Sequence, residues 1–346
     1  MLRRLSVVAV ALALVGATAA SAQGSAQESA QGTGLGIRLL EAPAAKADDP
    51  RARSYIVDHV TPGQSISRKI EVSNDTGRTG RVSLYAGPAT VDDGSFTYGE
   101  PGSTSDLTTW VSVVPTALDL ADGAAGTANV TIDVPASARP GERYGVVWAE
   151  IPGIAPPGGG VTLNSRVGIR IYLSVGQGAE PETDFELTSF RPVRAGDGSP
   201  AIEIDVCNRG GRAVDLTGSV RFYEGPGGTS AGPFATPTTT TLAPGACGVV
   251  VVPLDPELPL GPWRASATLR SGLREETAQA TITLPPEDQR VGRTVPAERV
   301  TDSVGGRLAI LLALALLLVV LLLAYLAWRR ANARKKAAES ATATAA

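Results

Sequence analysis

The chain is poor in the side chains that most often carry out catalysis or bind transition metals. Its 346 residues include one histidine, two cysteines and one methionine. The histidine, His59, directly follows Asp58, and neighbours on a strand point to opposite faces, so Asp58 cannot orient the ring for catalysis. A zinc site needs several histidine or cysteine ligands. The sequence therefore predicts a surface or edge histidine, a protein that is not an enzyme, and no cofactor.

Positive charge is scarce outside the two ends of the chain. The 31 Lys and Arg residues face 34 Asp and Glu residues, giving a formal net charge of −3. Arg3 and Arg4 lie at the start and further basic residues follow Leu326, so the region between is acidic. An acidic surface is repelled by phosphate backbones, so we expect no nucleic-acid partner. The same charge also serves plain solubility.

The first residues have the pattern of a secretory signal. Two arginines precede a short apolar run and the small residues Ala20-Ser21-Ala22. This pattern predicts a signal peptide over 1–22, cleaved before Gln23, with Ala17-Thr18-Ala19 as a second possible site. An uncleaved N-terminal anchor is the alternative, but the apolar run is short for a membrane span.

An uncharged apolar run lies near the C-terminus. Residues 308–328 are uncharged and dominated by Leu, Ala, Val and Ile, with Tyr325 and Trp328 at the end, and basic residues follow at once. We place the predicted membrane span over 307–328. As a helix rising about 1.5 Å per residue, this run is long enough to cross a bilayer. Positive charge stays on the cytoplasmic side. We therefore predict a single-pass type I protein of the cell membrane, with an extracytoplasmic bulk and a cytoplasmic basic tail over 329–346.

The rest of the chain has the pattern of short strands. For example, Val167, Ile169, Ile171, Leu173 and Val175 alternate with mostly polar residues, which predicts a strand with one buried face. With 39 Gly and 25 Pro residues, the chain favours many turns. The sequence predicts an all-β fold: two tandem immunoglobulin-like β-sandwich domains plus one C-terminal transmembrane helix.

Two blocks of strands share their landmarks in the same order. Each has a strand ending in Val-Pro, followed by a proline turn and an aromatic strand. The landmarks are Val134-Pro135 and Tyr144 in one block, and Val252-Pro253 and Trp263 in the other, and a turn begins at Asn74 in the first block and at Asn208 in the second. The repeat predicts two domains, over 35–178 and 179–285. A flexible leader over 23–34 and a stalk over 286–306 are expected to flank them.

The two cysteines, Cys207 and Cys247, both lie in the second block beside predicted turns. In an oxidising compartment such a pair is expected to form a disulfide. Two free thiols and a catalytic cysteine are the alternatives, and the second block has no histidine to act as a base.

Two further groups of residues are candidates for binding. Asp92-Asp93-Gly94-Ser95 offers oxygen ligands but lacks the spacing of a calcium loop, so we interpret it as a hairpin turn. Trp110, Tyr144 and Trp148 are candidate binding residues, since aromatic rings stack on sugars. Aromatic residues of a sandwich also often belong to its core, which is the alternative for all three.

The first block resembles the N-terminal domain of the WxL-interacting proteins of Gram-positive bacteria. The resemblance rests on an ordered set of motifs: Tyr55-Ile56-Val57-Asp58, Pro62-Gly63-Gln64-Ser65, Ile70-Glu71-Val72-Ser73-Asn74, Trp110-Val111, Val134-Pro135, and Pro140 through Trp148. It implies a peptidoglycan-binding first domain and a second domain that contacts other ligands. The second block is shorter than in that family and carries the cysteine pair.

The sequence thus predicts a non-catalytic cell-envelope protein whose β-sandwich domains bind peptidoglycan, the cell-wall glycan, or another surface ligand. An assembly or adhesion subunit that recruits a surface protein, through an exposed strand edge, is the main alternative. An envelope hydrolase is the third, although no catalytic motif supports it.

Overall fold

The computed structural model describes residues 34–153, 162–300, and positions 322, 325 and 328. The predicted signal peptide and cytoplasmic tail lie outside the described residues, as does the leader apart from its last residue. The predicted membrane span over 307–328 also lies outside them apart from three positions. No helix within the described ranges is long and apolar enough to cross a bilayer.

The first sandwich contains ten strands in two sheets. The strands are β1 (Gly34–Leu39), β2 (Ile56–Val60), β3 (Ser65–Asp75), β4 (Gly80–Asp92), β5 (Ser95–Tyr98), β6 (Val111–Val114), β7 (Ala117–Leu120), β8 (Ala124–Asp133), β9 (Gly141–Ile151) and β10 (Ser165–Val175). One sheet has the order β1-β3-β8-β6, and the other has the order β2-β10-β9-β4-β5, with β7 also pairing with β4.

The second sandwich repeats this plan after a linker over 176–184. Its strands are β11 (Phe185–Arg194), β12 (Pro200–Asn208), β13 (Val214–Tyr223), β14 (Ala231–Ala235), β15 (Thr240–Leu242), β16 (Cys247–Pro253), β17 (Pro262–Ser271), β18 (Arg274–Thr283), β19 (Val295–Pro296) and β20 (Glu298–Arg299). The sheet orders are β16-β12-β11-β19 and β14-β13-β17-β18-β20, with β15 pairing with β13. The prediction of an all-β fold with two sheet-rich domains is confirmed.

Part of the segment predicted as a stalk over 286–306 is instead paired with the second sandwich. Strand β19 pairs with β11, strand β20 pairs with β18, and Val291 bridges Val193. These residues have too few apolar side chains to show a strand pattern, and their pairing depends on sheet edges that the sequence does not reveal. The chain therefore stays attached to the second sandwich as far as Arg299.

The period-two patterns fill two separate cores. Ile169, Ile171 and Leu173 of β10 are buried in the first core, together with Val147 of β9. In the second core, Trp263 is 1 % exposed and packs edge-on against Phe222. Burying each such side chain contributes about 1.5–3 kcal/mol. The alternation read from the sequence thus defines the inner face of both sandwiches.

Two short helices interrupt the first sandwich, where the sequence shows no sustained helical period. Helix α1 (Pro50–Ser54) begins with proline, and the Asp49 side chain accepts a hydrogen bond from the Arg51 N–H. Helix α2 (Asp106–Trp110) begins with a capping box formed by Ser105 and Thr108. Local caps of this kind fix a helix start without any periodic apolar face. A single helical turn is too short for a period to show.

A buried asparagine braces the same turn in each sandwich. Asn74, next to the end of β3, donates hydrogen bonds from Nδ2 to the carbonyls of Arg78 (2.8 Å) and Leu120 (3.0 Å). Asn208 at the end of β12 donates in the same way to the carbonyls of Arg212 (2.7 Å) and Leu242 (3.0 Å). Leu120 and Leu242 end the equivalent strands β7 and β15. The repeat predicted from the sequence is therefore also a repeat of hydrogen bonding.

Candidate functional site

The structure does not bring the three predicted aromatic residues together. Trp110 ends α2 and packs against the inner core of the first sandwich. Tyr144 and Trp148 project from the opposite, outer face of β9. Trp148 is only 7 % exposed, because its ring lies between the Tyr98 ring (4.8 Å between centroids) and the Arg166 guanidinium (4.1 Å). The three side chains therefore do not form one exposed platform.

Close backbone approach explains how the Trp148 ring lies on its sheet. A Cβ atom at Gly168 would stand 2.6 Å from this ring, and one at Gly87 would stand 2.7 Å from its Nε1. Any larger side chain at either position would displace the ring. The two glycines thus hold the indole flat on the sheet.

The outer face of the β10 sheet is covered by the second sandwich. Tyr172 points away from the first core, yet it is fully buried. It packs with Phe96 of the first sandwich and with Ala213 of the second. The alternation in β10 predicted one buried face, and the strand has a second buried face because a neighbouring domain covers it.

Asp215 of the second sandwich is the centre of this interface. Its carboxylate accepts hydrogen bonds from Arg51 Nε (2.5 Å), the Tyr172 hydroxyl (2.8 Å) and the Thr241 hydroxyl (2.7 Å). The Arg51 guanidinium also lies 4.0 Å from the centroid of the Tyr172 ring. The side chains of Arg51 and Asp215 are 5 % and 8 % exposed. Losing one member of such a buried pair costs about 3–5 kcal/mol, so this contact fixes the two sandwiches together.

Glu142 makes a second contact across the interface. Its Oε2 accepts hydrogen bonds from the Ala213 N–H (2.6 Å) and the Tyr144 hydroxyl (2.7 Å). Burial raises the pKa of Glu142 from its ordinary value, although these two hydrogen bonds act in the opposite direction. Burial, with the adjacent Glu142 charge, also raises the pKa of Tyr144. Tyr144 therefore stays a neutral donor at the joint between the domains.

A third contact uses the linker. Glu180 forms ion pairs with Lys46 of the first sandwich and Arg212 of the second. Burial lowers the pKa of Lys46 and of Arg212. A backbone bond from Thr241 N to the Gly94 carbonyl (2.8 Å) adds to the joint. The two sandwiches thus share one hydrogen-bonded interface.

No arrangement for catalysis or metal binding is seen in the described ranges. Asp58 forms an ion pair with Arg68, whereas His59 on the opposite face of edge strand β2 contacts the Ser174 hydroxyl at 3.1 Å. Asp93 and Gly94 have positive φ and form the two-residue turn between β4 and β5, as a hairpin of this type requires. In the described residues no group of three or more His, Cys, Asp or Glu is placed to hold a metal.

The predicted disulfide between Cys207 and Cys247 is confirmed. The two residues are directly opposite each other on β12 and β16, with Cα atoms 4.0 Å apart. They are joined beside the Asn208 turn, at one end of the sheet. The bridge therefore clamps β16 to β12, its sheet partner.

Strand β16 has an open edge. In the described part of the chain it pairs with β12 alone. The Ala246 carbonyl and the Leu254 N–H, at its two ends, bond to β12. Because bonding alternates along an antiparallel pair, Val249 and Val251 direct their N–H and C=O groups away from β12. Backbone donors and acceptors therefore line this edge without a strand to pair with.

The same edge exposes apolar side chains. Val250 and Val252 are buried in the core, whereas Val249 and Val251 are 38 % and 44 % exposed on the outer face. The strand Cys247–Pro253 contains no charged residue and no register shift in its pairing with β12. Native edge strands are commonly protected by charges, bulges or short length. In β16 only the final proline serves this purpose.

The sequence did not indicate Arg51, Tyr172 or Asp215 as an interface. They are far apart in the chain, and each resembles an ordinary surface or core residue in its own segment. One local signal is Tyr172. This aromatic residue lies among the mostly polar residues that alternate with the apolar ones along β10. That pattern indicates a strand that is covered on both faces.

No protein-family model matches the chain, and no curated protein matches it. Among solved structures, the YadV chaperone is 10% identical with a TM-score of 0.38, over 72% of this chain and 99% of that chain. The CupB2 chaperone of Pseudomonas aeruginosa is 11% identical with a TM-score of 0.36, over 67% and 98%. The E. coli chaperone DraB is 14% identical with a TM-score of 0.35, over 71% and 95%. Likenesses of this size carry no functional information.

Proposed function

We propose that this chain is a non-catalytic, membrane-anchored protein of the cell envelope that recruits a protein partner outside the membrane. The partner adds one of its own strands to the open edge of β16. The observation that supports this most directly is the unpaired backbone of β16 at a position where the first sandwich has a strand.

The first sandwich supplies an internal template for the complex. Its strand β8 corresponds to β16, since β8 follows β3 in one sheet as β16 follows β12 in the other. On its far side β8 pairs with β6, in the register Val111 opposite Ile132 and Val113 opposite Val130. The second sandwich has no strand at this place in the described part of the chain. A partner strand would complete the second sheet as β6 completes the first.

Backbone hydrogen bonds would provide the affinity of this contact. An antiparallel strand beside β16 would bond to the outward N–H and C=O groups of Val249 and Val251. Strand addition of this type draws its affinity from the main chain and its specificity from alternate side chains. The clamp between Cys207 and Cys247 keeps β16 in place while its outer side is open.

Side chains beside the edge indicate the composition of the partner strand. Asp205 and Glu203 of β12 stand opposite Val249 and Val251 on the same outer face. Glu203 already pairs with Arg191, whereas Asp205 accepts a hydrogen bond from the Ser189 hydroxyl. The surface is thus an apolar strip beside an acidic one. It favours a strand with apolar residues at alternate positions and a basic residue near Asp205.

Two other strand edges of the molecule, those of β1 and β2, carry charge. Strand β1 presents Arg38, which is exposed and paired with Glu71. Strand β2 carries Asp58 and His59. Charge on an edge discourages the addition of another strand. The β16 edge is therefore a better candidate for strand addition than the edge of β1 or β2.

Peptidoglycan binding, which the resemblance to WxL-interacting proteins implies for the first domain, is a second candidate function. One observation favours it: Tyr98 is 40 % exposed and stands edge-on to Trp148 on the outer face. An exposed ring of this kind is able to stack on a sugar. If this function is correct, the full chain should be retained on purified peptidoglycan. Tyr98→Ala should reduce that retention.

Photo-crosslinking in the cells that make the protein tests the strand-addition proposal. A photoreactive amino acid at Val249 is expected to give one dominant adduct with another protein. Val251→Lys should reduce that adduct by at least about tenfold, since a charge at the edge opposes apolar pairing by more than about 1.4 kcal/mol. Val251 is exposed, so the lysine is compatible with the fold.

Leu273 provides the matched control. It is 71 % exposed in the turn between β17 and β18. Leu273→Lys adds the same charge and should leave the Val249 adduct unchanged. An adduct with a second copy of the chain, no adduct at all, or equal loss in both variants would overturn the proposal.

A further inference from the structure

The described chain leaves the second sandwich along the edge of β18. Strand β20 runs antiparallel to β18, with Arg299 opposite Ala278. The Val300 N–H then bonds to the Thr277 carbonyl (2.9 Å). Each residue of β20 therefore takes the chain further back along β18, toward the first residue of that strand, Arg274.

The beginning of β18 lies where the two sandwiches meet. The turn before it, residues 271–274, lines a small cleft together with Asp49 and Arg51 of the first sandwich. The Ser271 hydroxyl also accepts a hydrogen bond from the N–H of Asp215, the centre of the interface (2.9 Å). We call this the joint end of the second sandwich, and the opposite end, where β17 begins at Pro262, the far end. The chain thus leaves the sandwich in the direction of its joint end.

The connection from this point to the predicted membrane span is short. Only residues 301–306 separate Val300 from the span predicted over 307–328. A fully extended chain covers at most about 3.6 Å per residue, so the connection reaches no further than about 25 Å. The membrane surface therefore lies within this distance of Val300 if the predicted span crosses the bilayer.

This reach favours the joint end over the far end as the side nearer the membrane. The joint end lies ahead of the chain, since Thr277 is three residues, or about 10 Å, from Arg274 at the beginning of β18. The far end lies behind it, since Thr277 is six residues, or about 20 Å, from Thr283 at the end of β18. To place the far end on the membrane, the chain would have to reverse its direction and use nearly all of its reach.

The joint end presents an exposed apolar side chain among paired charges. Leu273 is 71 % exposed at the tip of the turn between β17 and β18. Apolar side chains enter the boundary between lipid headgroups and acyl chains, with a strength that follows the area they bury. Arg274 pairs with Asp184 and Glu276, and Arg299 also pairs with Glu276. Because these charges are balanced within the protein, this surface suits zwitterionic lipid headgroups and does not depend on anionic lipids.

We propose that the joint end of the second sandwich rests on the lipid surface of the membrane, with Leu273 in contact with lipid. This orientation rests on the membrane anchor of the proposed function. The two sandwiches then extend to either side of the anchor, whereas an exit at the far end would raise the first sandwich above the second.

The orientation leaves the β16 edge accessible. Strands β19 and β20 lie at one edge of the second sandwich, and β14 and β16 lie at the other. The anchor follows β20, so it holds the edge opposite to β16. A partner strand therefore reaches β16 from the side away from the anchor.

Energy transfer from the protein to labelled lipid tests this orientation. The full-length protein is inserted into phosphatidylcholine vesicles that carry an acceptor dye on the lipid headgroups. A donor dye is coupled to an azide-bearing amino acid that replaces Leu273 in one sample and Leu260 in another. Leu260 is the matched control, because it is also an exposed leucine (53 %) and lies just before β17 at the far end. Both replacements change only an exposed side chain.

Transfer from position 273 should exceed transfer from position 260 by at least about twofold, because the two ends of β17 lie about 30 Å apart. A photoreactive amino acid at position 273 should also form an adduct with phosphatidylcholine, and one at position 260 should not. Equal transfer from the two positions, stronger transfer from position 260, or no lipid adduct at position 273 would overturn the proposal.

Flotation of the vesicles separates this proposal from the anchor on which it rests. Protein that floats with the vesicles but shows stronger transfer from position 260 overturns the orientation and leaves the anchor intact. Protein that does not float with the vesicles overturns the anchor, and the orientation with it. The protein adduct at Val249 is a separate measurement, so recruitment of a partner is judged independently of both.

Discussion

The two sandwiches share their frame and differ at one sheet edge. Both are braced by a buried asparagine that donates to equivalent carbonyls. In the first, helix α2 leads into β6, which covers the edge of β8. In the second, the corresponding edge of β16 is open within the described residues. The difference teaches that one β-sandwich plan can give its equivalent strand two neighbours, as for β8, or one, as for β16.

The disulfide lies on the strand that differs in this comparison, at the other end from the segment that corresponds to the β6 contact. Cys207 and Cys247 correspond to Ser73 and Ala125 of the first sandwich, which are paired opposite each other one residue before Asn74. The first sandwich has no bridge there, but β8 is held by strands on both sides. The second holds its edge strand by one strand and one covalent bond. The bridge thus adds a covalent tie to an edge strand that has one strand neighbour in the described residues.

The largest expected effect is that of removing this bridge. Replacing both cysteines by serine should destabilise the second sandwich by roughly 4 kcal/mol, the chain-entropy value for a closed loop of 40 residues. Hydrogen exchange followed by mass spectrometry reports each sandwich separately. Faster exchange in β12 and β16, with the β3 and β8 amides unchanged, is the expected result. An equal loss of exchange protection in both sandwiches would contradict the conclusion that the disulfide holds β16 to β12.

Removing the asparagine braces should have an intermediate effect. Asn74→Ala and Asn208→Ala each leave two buried carbonyls without their donor, which should cost about 2–4 kcal/mol in the affected sandwich. The same exchange measurement would show whether the two braces are equivalent. Asn129→Ala, on strand β8 of the first sandwich, serves as a comparison outside either turn. If either asparagine variant changed the free energy of unfolding by less than about 0.5 kcal/mol, the two turns would share a shape but that asparagine would not stabilise its sandwich.

The smallest expected effect is a pH dependence at the joint between the sandwiches. Below pH 4.5 the Glu142 carboxyl is protonated in both the folded and the unfolded chain. As pH rises above 4.5 the unfolded chain loses this proton first, because burial raises the folded pKa. The contribution of Glu142 to stability therefore falls with rising pH until the folded pKa is passed.

Glu142→Gln removes this titration while keeping an oxygen to accept from Ala213 and Tyr144. The midpoint of thermal unfolding should then vary less between pH 4.5 and neutrality than it does in the unchanged protein. Glu298→Gln, at an exposed position of β20, is the matched control. An unchanged pH slope in the Glu142 variant would mean that another group controls the joint.

Much of each sandwich was predictable because it depends on local chemistry. Alternation over Val167 to Val175 gives a strand, since the side-chain period of a strand is two. Asp93-Gly94 gives a hairpin turn because both positions need positive φ. The aromatic landmarks were less informative, because Tyr144 points outward on β9 whereas Trp263 points into the second core. The turn before Trp263 is one residue longer than the turn before Tyr144, and a shift of one residue reverses the face.

The sequence by itself determined the all-β character, the repeated turns and the cysteine pair, because each follows from contacts between residues on one strand or around one turn. Only the tertiary structure decided which edge has no neighbour and which polar side chains meet between the domains. Strand pairing and the contact of Arg51 with Asp215 join distant parts of the chain, and their free energy depends on burial that no local pattern records. The open edge of β16 is a product of that assembly.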